Sequence, residues 1–581
     1  MAAALQQLII DGTVPAETTV SIQIDHARNK EHGDFACNLA MMLSKAAGMK
    51  PRDLAQAIIS CIPDSGLIEK FEIAGPGFIN IFLKQGSQFE VINKILHDES
   101  AYGKSRIGQN QKIHLEFVSA NPTGPLHVGH GRGAAYGATL ANLLREASYN
   151  VHCEYYVNDA GRQMDILASS IWLRYLELCD IEIPFPVNAY KGDYIWDIAA
   201  SLHREHGEAF KHDAQQVLQN VSPDETEGGD KEKHIDDIIR NAHSLLGETG
   251  FRTVLDQGLK EITGNIRTDL EEFGVHYDNW FSEKSLMDSG AIDKAIQALD
   301  AAGYLYKKNG ATWFRSSEFG DEKDRVVVRD NGLKTYLASD IAYHIQKLET
   351  GADQIIDIWG ADHHGYVPRV KASMLALGQP ADKLTVLLVQ FAILYRGGKR
   401  AQMSTRSGEF VTLRELREEV GNDAARFFYV LRKSEQHMDF DLDLAKSSSR
   451  DNPVYYIQYA HARICRMMRK LEEKGMVWDQ KMGQQHLDQL DHEQELAIVQ
   501  RLGQYPHMIE KAAIAFEPHQ IAYYLRDLAN LFHSYYNAKN IKKILEEAPD
   551  RRNARVNLSL AVRQVIRNGL TLLGVSAPDS M

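Results

Sequence analysis

Residues 113–149 constrain the fold most, because they indicate a strand, a polar loop and a helix in immediate succession. Ile113, Leu115 and Phe117 alternate as one face of a strand. A loop containing proline and glycine follows, and His127-Val128-Gly129-His130 then opens a segment rich in alanine and leucine. The sequence therefore predicts a strand–loop–helix unit with two histidines where the helix begins.

This arrangement of histidines is typical of a phosphate-binding loop. A helix N-terminus presents unpaired N–H groups and the positive end of the helix dipole. Gly129 lies between the two imidazoles and lets a ligand approach the backbone. We therefore expect this loop to bind a nucleotide.

Two other kinds of site compete for the same loop. Gly129, Gly131 and Ala134 satisfy the G-x-G-x-x-G/A pattern of dinucleotide sites, but about ten residues separate Val118 from Gly129, whereas the glycines of that motif follow the strand directly. A metal site at the two histidines would need a third ligand at metal spacing, and the sequence offers none nearby. Both alternatives are disfavoured.

Strands and helices alternate further along the chain, which predicts an open parallel sheet with ligands at the carboxyl ends of its strands. Residues 151–157 form a second strand. Residues 353–359 form another, which ends in Gly360-Ala361-Asp362-His363-His364, where Asp362 can accept hydrogen bonds from a ribose. The same group could hold a metal, which is the less favoured interpretation.

Tyr336 and Asp340 are expected on one face of a helix, one turn apart. A surface hydrogen bond or a helix cap explains such a pair as well as a binding role does. Residues 384–394 indicate one buried strand, and Lys399 and Arg400 follow in a flexible basic turn. A mobile basic loop could neutralise a leaving pyrophosphate.

Composition bounds the class of protein. With 581 residues, 65.4 kDa and 44% hydrophobic residues, the chain should form several domains. We expect neither export nor membrane insertion, and the five scattered cysteines favour a reducing compartment, so we expect a cytoplasmic protein. The net charge is −13, but residues 453–581 carry about +3, so a nucleic acid would have to meet local basic faces.

Four regions are expected, with a helical insertion at about 175–264 in the second. They are a small N-terminal α/β domain (1–109), a Rossmann-like catalytic domain (110–400), a connecting loop and helical region (401–451) and a helical C-terminal domain (452–581). Deleting residues 453–581 is expected to leave a soluble core. His32-Gly33-Asp34 most simply indicates a turn before a helix.

The H-x-G-H loop resembles the HIGH element of class I aminoacyl-tRNA synthetases. Residues 113–130, 336–343, 360–366, 403–408 and 452–463 match one family in order and context, so the chain is identified as a member of the bacterial-type arginyl-tRNA synthetases. The resemblance implies a multidomain α/β enzyme that is monomeric and makes arginyl-adenylate from arginine and ATP, with Mg²⁺ accompanying the ATP. It then transfers the arginyl group to the terminal ribose of tRNA(Arg). It also implies that the N-terminal domain touches the tRNA elbow and that the C-terminal bundle binds the anticodon.

The resemblance also implies roles for individual residues, with no resident metal. The expected catalytic residues are His127, His130, Lys399, Arg400 and Arg406. The expected ATP-binding residues are His127, Gly129, His130, Asp362, His363, Met403 and Ser404. The expected arginine-binding residues are Glu116, Asn121, Tyr336 and Asp340, with the two carboxylates facing the guanidinium.

The second class I signature departs from its usual form. K-M-S-K-S appears as Gln402-Met403-Ser404-Thr405-Arg406-Ser407, so both lysines are replaced. Lys399, Arg400 and Arg406 are the candidate cations for pyrophosphate. Two other functions remain open, a small H-x-G-H nucleotidyltransferase and a catalytically silent tRNA-binding relative.

Overall fold

The computed structural model describes residues 1–27, 29–64, 68–84, 86–401 and 411–581, which form two compact units. The first unit comprises Met1–Tyr102, Met467–Gln504 and Leu531–Val565. The second unit comprises Gly103–Arg466, Tyr505–Asn530 and Ile566–Met581. Among the helices of the described ranges, none combines the length and apolarity needed to cross a bilayer.

The N-terminal part of the first unit is an antiparallel sheet with helices. Its elements are α1 (Ala2–Ile10), β1 (Ile24–His26), β2 (Phe35–Cys37), α2 (Leu39–Ala47), α3 (Pro51–Ser60), β3 (Ile68–Ala74), β4 (Phe78–Leu83) and α4 (Glu90–Asp98). The strand order is β1-β2-β4-β3. Leu8, Leu39, Leu54 and Ile79 belong to its buried core, so this region has an apolar core of its own.

The second unit contains the remaining strands. They are β5 (Lys112–Phe117), β6 (Asn150–Val157), β7 (Asn279–Ser282), β8 (Leu305–Lys308), β9 (Ala311–Phe314), β10 (Arg325–Val328), β11 (Gln354–Gly360), β12 (Leu384–Val389), β13 (Ala392–Arg396), β14 (Lys399–Arg400) and β15 (Met438–Asp441).

The helices between residues 103 and 473 alternate with these strands. They are α5 (Val128–Glu146), α6 (Arg162–Leu178), α7 (Asp193–His206), α8 (Ala214–Val217), α9 (Lys231–Glu272), α10 (Lys284–Asp288), α11 (Ala291–Ala301), α12 (Tyr336–Glu349), α13 (Val367–Ala376), α14 (Leu413–Val420), α15 (Asn422–Val430), α16 (Leu442–Lys446) and α17 (Pro453–Glu473). Residues 175–264 are mainly helical, as expected, and α9 is broken at Gly247 (φ +64°).

The predicted parallel sheet is present, with strand order β12-β11-β5-β6-β7. β5 is central, and α5 packs on one face of it so closely that a methyl group at Gly137 would lie 2.3 Å from the Phe117 ring. The other face carries α12. Because β5 has neighbours on both sides, the loop that follows its carboxyl end begins near the middle of the sheet edge.

Two local predictions between residues 384 and 400 were wrong. The stretch 384–394 is not one strand, because β12 ends at Val389 in the parallel sheet and β13 begins at Ala392 in a separate sheet with β14 and β15. Lys399 and Arg400 form β14, which pairs with β13, instead of a flexible turn. The boundary between β12 and β13 cannot be read from hydrophobicity, because both strands are apolar.

The C-terminal helices contribute to both units. They are α18 (Gln480–Gln485), α19 (Glu493–Gly503), α20 (Tyr505–Ala515), α21 (His519–Asn537) and α22 (Pro549–Leu573). In the second unit, the Tyr136 hydroxyl on α5 donates to the carbonyl of Phe516 at 2.7 Å, and Asn142 donates to the carbonyl of Leu572 at 3.1 Å. The second unit is therefore completed by residues from the end of the chain.

Two fully buried arginines tie this unit together through backbone carbonyls. Arg132 on α5 donates to the carbonyls of Gln390, Lys433 and Gln436 at 2.7–2.8 Å. Arg426 on α15 donates to the carbonyls of Phe273, Gly274 and Leu573 at 2.7–3.2 Å. Burial lowers the pKa of each guanidinium to about 10, so both remain charged at neutral pH.

Candidate active site

The start of α5 is built from a reciprocal pair of histidines. Nδ1 of His127, the N-cap residue, accepts from the backbone N–H of Gly129 at 3.1 Å. Nδ1 of His130 accepts from the backbone N–H of His127 at 3.3 Å. The two rings stack with their centroids 3.7 Å apart. The histidines therefore form a capping box, the role that serine and glutamate usually play.

Both imidazoles are neutral at neutral pH. Burial lowers the pKa of His127. Burial, with the neighbouring His127, lowers the pKa of His130 to about 3. Because each Nδ1 accepts a backbone N–H, the proton of each neutral ring is assigned to Nε2. The loop thus presents two hydrogen-bond donors without a positive charge.

The backbone donors at this helix end have partners within the chain, which corrects one expectation. Val128 N donates to the carbonyl of Val411 at 3.0 Å, and Gly129 N donates to His127. The backbone N–H groups of Val128 and Gly129 are therefore not available to a phosphate.

Gly129 and Gly360, the two glycines predicted to let a ligand approach the backbone, both lie beside the ring of Phe391. A methyl group at Gly129 would lie 3.2 Å from its ring, and one at Gly360 would lie 3.6 Å from it. Phe391 is 45% exposed and stands in the break between β12 and β13. The loop before α5 and the end of β11 thus meet around one exposed aromatic ring, which sequence reasoning missed.

The other residues expected near ATP that the structure describes lie on exposed segments. Asp362 and His363 follow β11, and the carboxylate and the imidazole Nε2 are 3.5 Å apart. Lys399 and Arg400 are exposed on β14. Met403, Ser404 and Arg406 lie outside the described residues.

A row of acidic side chains crosses the face of the sheet that α12 covers. In the strand register Asp357 on β11 is beside Glu116 on β5, and Glu116 is beside Glu154 on β6. All three are at most 6% exposed. Lys347 of α12 lies between the first two, with its ammonium 2.7 Å from Asp357 Oδ1 and 2.5 Å from Glu116 Oε2. Sequence reasoning missed this cation.

In this row, ion pairing and burial shift the pKa values of the side chains in opposite directions. Burial lowers the pKa of Lys347, but the carboxylates of Asp357 and Glu116 outweigh it and hold that pKa above its usual value. Burial raises the pKa of Asp357, yet Lys347 and His344 keep it well below the usual value. His344 Nε2 lies 2.9 Å from Asp357 Oδ2. The helix and the sheet are therefore joined by buried charges.

Glu154 has its own set of donors. The hydroxyl of Tyr343 and the amide of Asn279 each donate to it at 2.6 Å, and His114 Nε2 is 3.2 Å away. Burial raises the pKa of Glu154, but hydrogen bonds from His114, Tyr343 and Asn279 together with the His114 charge lower it to about 2. This carboxylate is ionised and internally paired.

Tyr336 and Asp340 both lie in α12, one turn apart, as predicted. The N-cap of α12 is Thr335, so the alternative that Asp340 caps its own helix is wrong. The nearby Tyr366 hydroxyl acts to lower the pKa of the Asp340 carboxyl group. Burial raises its pKa to about 6 despite the nearby His344, and the Glu116 charge acts in the same direction. The Tyr336 side chain is 62% exposed, with its hydroxyl beside Gly161.

Glu116 and Asp340 form the predicted pair of carboxylates only in part. The two are close enough to interact electrostatically. However, Glu116 Oε2 accepts from Lys347, and Oε1 accepts from Ser119 at 2.7 Å. Both oxygens of Glu116 therefore have donors within the chain.

A strained loop follows β5. Val118 and Ser119 have φ of +69° and +44°, values that residues with a side chain rarely adopt, valine least of all. The Ser119 hydroxyl, which bonds to Glu116, also accepts from Tyr156 N at 3.1 Å and so holds this turn. Asn121 is exposed in the same loop, and its amide donates to Gln163 at 2.9 Å.

Glu283, which sequence reasoning also missed, lies directly after β7. It is 3% exposed. Burial raises the pKa of Glu283 to about 7, with the charges of Asp340 and Asp159 acting in the same direction. The rule that polar residues gather at strand ends could have found it. Lys347 could have been found as the end of a polar stripe with Asp340 and His344 on an otherwise apolar helix face.

Three family models match consecutive parts of the chain. Residues 1–83 match the arginyl-tRNA synthetase N-terminal domain, residues 91–439 the class I (R) tRNA synthetase catalytic domain, and residues 457–581 the DALR anticodon-binding domain. An arginine–tRNA ligase of Thioalkalivibrio sulfidiphilus is 60% identical over 578 residues, covering 100% of this chain and 98% of the relative. One of Hydrogenovibrio crunogenus is 58% identical over 583 residues, covering 99% and 98%.

A solved structure shares the fold over the full length. The arginyl-tRNA synthetase of Thermus thermophilus superposes with a TM-score of 0.72 at 22% identity, covering 100% of this chain and 99% of that one. Matches of this extent exclude a small H-x-G-H nucleotidyltransferase, because the whole chain takes part.

Proposed function

Because this chain belongs to the arginyl-tRNA synthetases and ligates arginine to tRNA at the expense of ATP, we propose how its residues divide that work. The observation that carries the proposal is the pair of neutral imidazoles, His127 and His130, at the start of α5. The end of β11 lies beside them, because Gly129 and Gly360 both approach the ring of Phe391.

His127 and His130 donate from Nε2 to the phosphates of ATP. The arginine carboxylate attacks the α-phosphorus, one carboxylate oxygen bonds to it, and the bond to the pyrophosphate oxygen breaks. The protein forms no covalent bond, so it accelerates the step by positioning and by stabilising charge. Neutral donors suit this task because they need not lose a proton as pyrophosphate leaves.

The adenosine lies around Phe391, beside Gly129 and Gly360, and Asp362 accepts from the ribose hydroxyls, with His363 next to it. The support is the exposed ring of Phe391 between the two glycines. An aromatic face is suited to stacking on a base.

The guanidinium of arginine meets Asp340, and Tyr336 and Asn121 line the path to the reacting carboxylate, with Asn121 at the α-ammonium end. Glu116 acts differently from the sequence prediction. Because Lys347 and Ser119 occupy its oxygens, it acts as a positioning residue that fixes α12 and the loop after β5.

Lys399, Arg400 and Arg406 are the cations for pyrophosphate, and we expect activation to need tRNA. The usual lysines of the second signature are missing, so a partner that orders the site is a reasonable requirement. Magnesium enters as part of the ATP substrate. The N-terminal domain touches the tRNA elbow, the C-terminal helices bind the anticodon, and the enzyme works as a cytoplasmic monomer.

A pyrophosphate-exchange assay over the twenty amino acids, with and without tRNA(Arg), tests this function. We expect exchange with arginine alone, and only when tRNA is present. Exchange with another amino acid would refute the arginine site, and rapid exchange without tRNA would refute the tRNA requirement. A lack of exchange under all conditions would identify a catalytically silent relative.

A further inference from the structure

We propose that the helical insertion (residues 175–264) holds the loop after β5 in its arginine-binding conformation, with Tyr194 of α7 as the positioning residue. The loop comprises residues 118–124 and includes Asn121, which we place at the α-ammonium end of the arginine. The inference rests on the proposed arginine site. It gives the insertion a role in the activation of the amino acid.

The 118–124 loop begins in a strained conformation. Its first two residues have positive φ, and such a conformation persists only where surrounding contacts fix it. At the start of the loop these contacts come from the sheet region. The Tyr277 hydroxyl donates to the carbonyl of Phe117 at 3.0 Å, and the Tyr155 hydroxyl donates to the carbonyl of Ala120 at 2.9 Å. Two tyrosines thus hold the first half of the loop.

A third tyrosine, from the insertion, holds the other end of the loop. The Tyr194 hydroxyl donates to the carbonyl of Thr123 at 2.6 Å. The same side chain covers Gly124, where a methyl group would lie 3.0 Å from the hydroxyl oxygen and 3.1 Å from the ring carbon that carries it. The loop therefore needs both the hydroxyl of Tyr194 and the absence of a side chain at Gly124.

The position of Tyr194 is set by the core of the insertion. α7 packs against α6 and α9. Its residues Ile195, Ile198, Ala199 and Leu202 are buried and recur at helical spacing. Tyr194 is the second residue of this anchored helix, so the insertion offers the loop a hydrogen-bond donor at a fixed place.

Two further bonds connect this donor with Asn121. Thr123 N donates to the carbonyl of Asn121 at 2.8 Å, so a shift of Thr123 is passed on to Asn121. The Asn121 Nδ2 donates to Gln163 Oε1 at 2.9 Å, at the start of α6. This bond determines on which side the amide oxygen lies, and that oxygen is the atom that can accept from an ammonium.

The nucleotide side of the site is anchored separately. Backbone bonds on both sides of His127 tie it to the start of α14. Leu413 N donates to the carbonyl of Leu126 at 2.8 Å, and Val128 N donates to the carbonyl of Val411 at 3.0 Å. Since these bonds do not involve the insertion, a change in the insertion should affect arginine more than ATP.

The test uses Tyr194→Phe, which removes the hydroxyl and keeps the ring over Gly124. Tyr175→Phe is the matched control, because the Tyr175 hydroxyl also donates to a backbone carbonyl, that of Gly207, within the insertion itself. Gly124→Ala is a second variant, since its methyl group would press on the Tyr194 hydroxyl. Aminoacylation of tRNA(Arg) gives KM for arginine and for ATP. Inhibition by 5-guanidinopentanoic acid, which is arginine without its α-ammonium, reports on the rest of the pocket.

We expect Tyr194→Phe to raise KM for arginine about 5-fold, the factor that one hydrogen bond is typically worth, and to leave KM for ATP unchanged. Gly124→Ala should shift the two constants in the same way. The inhibition constant of 5-guanidinopentanoic acid should not change in Tyr194→Phe, because the compound lacks the group that Asn121 faces. Tyr175→Phe should change neither KM. Thermal melting checks folding, and if Tyr194→Phe is unfolded, Gly124→Ala is compared with wild type.

Three results would overturn the positioning role: an unchanged KM for arginine in the folded variant, an equal rise in KM for ATP, or an equal loss of affinity for 5-guanidinopentanoic acid. A rise of the same size in Tyr175→Phe would also overturn it, because the effect would then come from a general weakening of the insertion. Wild-type protein that does not charge arginine would instead overturn the proposed function.

Discussion

Lys347 donates from its ammonium to Glu116 Oε2 across 2.5 Å, which joins α12 to the central strand of the sheet. The same ammonium donates to Asp357 at 2.7 Å. α12 also carries Tyr336 and Asp340, so the ion pair fixes the helix that presents the proposed arginine pocket.

We predict that Lys347→Met lowers the free energy of unfolding by about 3–5 kcal/mol, because two buried carboxylates lose their shared cation. Adding Glu116→Gln should restore part of it, since one of those charges is then removed and His344 still pairs with Asp357. Chemical denaturation measures both values. Lys307→Met, at an exposed position on β8, serves as the control, and equal effects of the two methionine variants would contradict the ion-pair role.

His127→Ala and His130→Ala should each slow adenylate formation by about 3 kcal/mol, or roughly a hundredfold, because a transition-state donor is lost. Arginine and tRNA should still bind. His492→Ala is a matched control, because His492 forms the same capping box with Glu495 at the start of α19. All three should lose about 1 kcal/mol of stability. Normal adenylate formation in either active-site variant, measured by rapid quench, would remove that histidine from the mechanism.

Asp340→Asn should raise KM for arginine by a factor equivalent to about 2–5 kcal/mol and leave KM for ATP unchanged. The variant keeps an oxygen that can accept from Tyr366, so the fold should tolerate it. Steady-state kinetics with thermal melting separates the two effects. A lower melting temperature with the same arginine dependence would refute the pocket.

Arginine should bind more tightly as pH rises from about 5.5 to 8. Burial raises the pKa of Asp340 to about 6, so at low pH this carboxyl group is protonated and cannot pair with a guanidinium. Glu116, His344, Lys347 and the Tyr366 hydroxyl are the groups that act on the Asp340 carboxyl group.

The stability of the free enzyme changes with pH in the direction opposite to that of arginine binding. The raised pKa of Asp340 means that the folded free enzyme binds more protons than the unfolded chain, so the free energy of unfolding falls as pH rises from about 4 to 6. Saturating arginine should therefore raise the melting temperature more at pH 8 than at pH 5.5. A shift that is independent of pH would contradict a role for the Asp340 carboxylate in binding arginine.

Much of the catalytic region was predictable, because local rules specify it. The strand at 112–117, the histidines at the start of α5 and the Tyr336–Asp340 spacing all follow from short-range patterns. Lys347 was not found, because its role depends on Glu116, which is more than 100 residues away in the sequence. Helical periodicity predicts which face of a helix is buried, but not which acidic side chain that face contacts.

The expected soluble core after deletion of residues 453–581 is the prediction we revise. Tyr136 and Asn142 of α5 bond to Phe516 and Leu572, and Arg426 bonds to Leu573. We now expect that a chain ending before Pro453 loses cooperative unfolding, because buried donors lose their acceptors. Circular dichroism with calorimetry tests this, and a single sharp transition in the truncated protein would restore the original expectation.

Arg132 and Arg426 show a second way in which the protein binds a guanidinium, the side-chain group of its substrate arginine. Their guanidiniums are surrounded by carbonyl dipoles, which carry no net charge and do not titrate. Carbonyls therefore bind a guanidinium at any pH at which the protein is folded. A site made of carboxylates binds it only while those groups are ionised. The molecule thus holds two structural arginines with carbonyls, whereas we propose carboxylates for the arginine that binds as substrate and is released with the product.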